Sequence, residues 1–110
     1  MTMNKQQEIL RAEVNQETAR IGWRELQRFF ASGVAIYVNS ELDLVEVAFQ
    51  ISVDNKAQVA EWMNARQVAR VTDAQALAWY EANAEVWAVV VRPYVLVQEE
   101  KVTATHLNVT

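Results

Sequence analysis

The spacing of apolar positions changes several times along this chain, and each change assigns an element. Residues 4–20 are polar-rich. They carry a thin apolar stripe of Ile9, Leu10 and Val14, and they pair Glu8 with Arg11 and Glu17 with Arg20 at i,i+3. This predicts a helix that serves as a loosely docked arm. Gly22 breaks the pattern. Trp23, Leu26, Phe29 and Phe30 then recur on one helical face, and Gly33 suits the left-handed residue that closes such a helix. Val34, Ile36 and Val38 alternate with Ala35 and Tyr37, which predicts a strand. Ser40-Glu41-Leu42-Asp43 has the form of a capping box opening a helix over about 41–53. Its wet stripe is Asp43, Glu46 and Gln50, and Leu44, Val45, Val47, Ala48 and Ile51 form the broader apolar side. Asp54-Asn55 ends that helix and caps the next, Lys56–Arg66, with Val59, Trp62 and Met63 on one face. Gln67–Val71 reads as a short strand. Thr72-Asp73-Ala74-Gln75 is a second capping box, and its helix runs to about Asn83 with Ala76, Trp79 and Tyr80 inward.

From Val86 to Gln98 the chain is apolar on both alternating faces, as in a strand buried on both sides. Arg92-Pro93 interrupts it. Read as one strand, it needs a bulge or an edge at Pro93, which cannot donate to a ladder. A two-residue hairpin is disfavoured, because the common hairpin turns need positive φ. Residues 101–110 alternate weakly, as a tail or an edge strand. The expected class is α+β: a small mixed or antiparallel sheet of three to four strands, with several helices over one face and a helix in front. One domain is expected over 1–110, divided into a helical arm (1–20), a core (21–100) and the tail.

Composition narrows the function classes. The chain has 110 residues, net charge −4 and no cysteine, so disulfide scaffolds, thiolate nucleophiles and cysteine–zinc sites are excluded. The acid is concentrated in residues 34–64, which carry one basic and five acidic groups. That disfavours double-stranded nucleic acid as a partner, since phosphate backbones require a basic face. Two glycines rule out a dinucleotide fingerprint and a P-loop. No apolar run is long enough to span a bilayer, and the first residues lack a signal-peptide core. A cytoplasmic protein with no membrane partner is expected.

Several ordered motifs resemble a known family. They are Glu17-Thr18-Ala19-Arg20-Ile21 with Trp23-Arg24-Glu25-Leu26, Phe29-Phe30-Ala31-Ser32-Gly33, and Glu41-Leu42-Asp43-Leu44-Val45-Glu46-Val47-Ala48. Trp62, Val68-Ala69-Arg70-Val71, and Trp87-Ala88-Val89-Val90-Val91 through Pro93 to Gln98-Glu99 complete the set. Over roughly residues 15–100 the chain is similar to the small bacterial domain-of-unknown-function family numbered 2288. The resemblance implies a small bacterial domain and supplies no activity, cofactor or catalytic residue. Tyr94 stands where that family's pattern has tryptophan, and Arg66 where it has glycine.

Four residues stand out as candidates for contact with a partner. Asp43 and Glu46 lie one turn apart, and paired carboxylates can do acid–base work or hold a hard cation. The plainer reading is the solvated face of an amphipathic helix. Arg92 and Tyr94 could form a binding edge, or simply protect an aggregation-prone strand. Trp23, Trp62, Trp79 and Trp87 could stack a ligand, but a small domain needs about three of them as core. His106, the single histidine, has no partner motif and lies in the expected tail. No catalytic, cofactor-binding or metal-ligating set emerges. The leading expectation is a non-enzymatic protein-interaction or homo-oligomeric module. The alternative is a ligand-binding or sensor domain with an aromatic-lined pocket between the sheet and the helices of Trp62 and Trp79. The third is an enzyme using Asp43 and Glu46 with Arg92.

Overall fold

In the computed structural model, which describes residues 5–100, the first half of the chain runs α1 (Lys5–Glu17), β1 (Ala19–Gly22), a 3-10 turn (Trp23–Leu26) leading into α2 (Gln27–Ala31), β2 (Ala35–Val38) and α3 (Leu44–Ser52). The second half is α4 (Lys56–Asn64), β3 (Val68–Arg70), α5 (Asp73–Glu81), β4 (Glu85–Val91) and β5 (Tyr94–Glu99). The strands form one mixed sheet in the order β1-β4-β5-β2-β3. β2 is parallel to β5 and every other pair is antiparallel. The fold is α+β, with five strands where three or four were expected. The expected tail or edge strand at 101–110, His106 included, lies outside the described residues.

The long apolar stretch folds as two strands. Val91 pairs with Tyr94, so the chain reverses at Arg92-Pro93 and no bulge or edge is needed. The Val91–Tyr94 pairing puts proline at the third position of a tight turn, and the Arg92–Pro93 peptide is cis, as in the turn class that takes proline there. This class reverses the chain without the positive φ that proline forbids. The extra strand is β1, whose residues 19 and 20 the helical pattern had claimed. Thr18 donates its hydroxyl to the Val14 carbonyl at 2.8 Å where α1 ends. Ala19 to Gly22 then pair with Ala88 to Glu85.

Helices cover both sheet faces rather than one, which explains a doubly apolar β5. On one side Val95 and Val97 join Trp23, Leu26, Ala76, Trp79 and Val86. On the other, Leu96 and Val89 join Val38, Leu44, Val47, Ala48 and Val68. A strand sandwiched this way needs apolar side chains at consecutive positions. Trp23 is fully buried, and its indole N–H donates to the Ala76 carbonyl at 3.1 Å. Its ring meets Trp79 edge-on at 5.0 Å. Trp62 and Trp87 are half-buried and pack against the second core. Tyr80, expected inward, is exposed; its carbonyl and ring instead hold the Arg24 guanidinium. α1 packs on α3, with Val14 against the second core.

The capping signals hold in part. Thr72 and Gln75 form the complete reciprocal box, and Asn55 caps α4 through the Gln58 N–H. Ser40 does not cap α3. Asn39 closes a turn by accepting from Leu42 N–H at its carbonyl and from Glu41 N–H at its side chain. The turn takes up Ser40 and Glu41, and the helix starts later, capped by Asp43.

Candidate functional site

The sharp junction between α3 and α4 opens a concavity over the sheet. Asp54 adopts φ 58 and ends α3. Its N–H donates to the Ile51 carbonyl, and the Asn55 N–H donates to Gln50. Asn55 immediately caps α4, so the chain doubles back and lays α4 against β3. The helix does not seal the sheet. Between them is an open groove of about 420 Å³. Its floor is Ile36, Val68 and Leu96, one side chain from each of β2, β3 and β5. Its wall is Ile51 of α3 with Val59, Ala60 and Met63 of α4. Polar groups gather at the rim: Asp54, Asn55, Lys56, Arg70 and the Tyr94 ring with its hydroxyl.

The rim groups differ in how far they are already engaged. Asn55 donates to the Gln50 side chain at 2.8 Å while accepting from Gln58. Lys56 and Asp54 approach to 3.9 Å with both side chains largely exposed, a pairing that contributes little. The Arg70 side chain forms no ion pair and no hydrogen bond with any described residue.

The four residues singled out in the sequence fall in separate places. Tyr94 lines the groove. Arg92 is exposed at the tip of the hairpin joining β4 to β5. Asp43 and Glu46 lie at the start of α3, roughly two and one and a half turns before Ile51. Both carboxylates have local partners. Asp43 accepts the backbone N–H groups of Val45 and Glu46. Glu46 accepts from the Gln50 amide at 2.6 Å. Among the described residues no group of three or more acidic or histidine side chains could hold a metal ion. No helix there is long and apolar enough to cross a membrane.

The expected pocket between the sheet and the helices of Trp62 and Trp79 does not form, because those helices lie on opposite faces of the sheet. Neither indole lines the groove, and Tyr94 is its one aromatic residue. Sequence reasoning missed Lys56 and Arg70. The signal for Arg70 was present, since it lies two residues after the buried Val68 and so on the same strand face.

Compared with known families, residues 9–99 match the family described as Protein of unknown function (DUF2288). The chain belongs to this family. A solved member-like structure, the NMR solution structure of PA1075 from Pseudomonas aeruginosa, is 39% identical. It superposes with a TM-score of 0.76, over 94% of this chain and 96% of that one. No curated protein matches the chain. The family supplies a fold and no chemistry. Arg66, where the resemblance led to the expectation of a glycine, has φ 60. The turn after α4 therefore keeps the left-handed geometry a glycine would give it.

Proposed function

We propose that this domain binds a small molecule with an apolar body in the groove beneath α4. The observation that carries the reading is a concavity of about 420 Å³ with aliphatic floor and wall and its polar groups at the rim. Ligand sites are typically ~300–1,000 Å³, mostly apolar, with a few polar groups fixing orientation. Met63, 54% exposed on the wall, adds an adaptable surface, since methionine refits to different apolar shapes. The test is fluorescence of a neutral solvatochromic dye, Nile red. It should brighten and shift to the blue with the wild-type protein. Ala60→Trp fills the groove from its exposed wall and should abolish that response while the protein still melts cooperatively. An equal response from both proteins refutes the groove as the site.

A second reading, contact with a protein partner or a second copy, has one specific observation behind it. Val90 is half-exposed beside the hairpin tip that carries Arg92 and Tyr94. Its test is sedimentation velocity over a concentration range. A mass increase that Val90→Lys abolishes supports it, and an unchanging monomer refutes self-association.

A further inference from the structure

Resting on the groove as a ligand site, we propose that its occupant is an amphipathic carboxylate, its apolar chain on Ile36, Val59 and Leu96 and its head on Arg70. The first argument is capacity. A volume of about 420 Å³ corresponds to roughly fourteen water volumes at ~30 Å³ each. It therefore accepts a body of roughly a dozen non-hydrogen atoms.

The second argument is charge. The chain carries −4 overall, yet the groove is lined by two cations, Lys56 and Arg70, against one anion, Asp54. Lys56 is the cation that Asp54 approaches. Arg70 has no acidic partner among the described residues, and it lies two residues beyond the buried Val68, on the same strand face. Arg66 and Arg92, both away from the groove, likewise have no acidic partner among the described residues, and two further arginines are engaged. Arg20 joins Glu85 and Glu100 at 3.0 Å each, and Arg24 is held by the Tyr80 carbonyl. A guanidinium left unpaired beside an apolar trough matches a planar carboxylate bidentately. Tyr94, which also lines the groove, carries a hydroxyl that can donate. A cationic head would meet Arg70 and Lys56 repulsively, and a neutral one would leave the guanidinium without its bidentate acceptor.

The experiment is a heteronuclear NMR titration of the full chain with decanoate, decanol and decylamine, below the concentration at which each self-associates. Decanoate should shift the amide signals of Ile36, Val59, Ala60 and Leu96 and bind at least tenfold more tightly than decanol or decylamine. Arg70→Leu should cut decanoate affinity about tenfold or more and leave decanol unchanged, with Arg70→Lys restoring part of the loss. Equal binding of the three probes, or decanoate affinity insensitive to Arg70→Leu, overturns the carboxylate assignment. If Nile red responds at the groove while decanoate does not, the assignment fails and the groove reading stands. If neither responds, both fail.

Discussion

Arg66 is a test of whether backbone conformation at one residue limits the stability of this fold. Helices α2 to α5 all end alike, on Gly33 (φ 78), Asp54 (φ 58), Arg66 (φ 60) and Asn83 (φ 50). In each, that residue's N–H donates to the carbonyl three back, and the next N–H donates five back. For α4 these are Arg66 to Met63 and Gln67 to Trp62. Glycine takes this conformation without steric cost, and aspartate and asparagine tolerate it. Arginine gains no such relief, and its Cβ costs ~1–2 kcal/mol there. Replacing it with glycine removes that cost and adds about 0.5–1 kcal/mol of unfolded-state entropy to be lost. The net gain for Arg66→Gly is centred on about 0.75 kcal/mol, or a rise in melting temperature of about 3–6 °C at the usual ~4–8 °C per kcal/mol for a small domain. Arg66 is exposed, so no packing is lost. Urea unfolding followed by tryptophan fluorescence should show a higher midpoint with an unchanged slope. Arg66→Ala is the control, because it removes the same side chain and keeps the Cβ. If the two variants have equal midpoints, the cost assigned to the left-handed backbone is refuted.

Three further outcomes are expected. Trp23→Phe removes the indole donor to Ala76 and part of the ring from a fully buried site; it should cost about 2–4 kcal/mol in denaturant unfolding. Asp43→Ala should cost about 1 kcal/mol and Asp43→Asn almost nothing, because asparagine caps as well as aspartate. A large loss with asparagine would show that the carboxylate charge itself matters. The Tyr37 hydroxyl is pushed above its ordinary pKa of 10.0, first by burial and then by the Glu99 charge. The folded state therefore holds its proton longer than the unfolded chain. That contribution is complete below pH 10 and is lost as pH rises through the folded value. Tyr37→Phe should flatten the alkaline fall in stability above about pH 10, and an unchanged pH profile would refute the linkage.

What the sequence revealed and what it concealed follow from the range of the interactions involved. Capping at Thr72 and Asn55, the left-handed Gly33 and the strand character of Ala35–Val38 depend on neighbours within a few residues, so spacing reveals them. β1 has four residues and one large apolar side chain, Ile21. It becomes a strand through pairing with Glu85–Ala88, far along the chain, and nothing local distinguishes it from a helix end. Pro93 was informative but ambiguous, because proline blocks the common hairpin turns and also defines a rarer one. The groove lies at the limit of this logic. Periodicity marks Ile36, Val59, Val68 and Leu96 as inward-facing, as it does the fully packed core residues. What separates them is that α4, turned back by Asp54 and Asn55, leaves a gap above the sheet. A gap is a property of how two surfaces fail to meet, so no single element encodes it. The clue that survives in one dimension is chemical: Arg70 follows Val68 on the same face, a cation where an edge strand leaves its core. The groove ends at that point, and the proposed carboxylate would be held there.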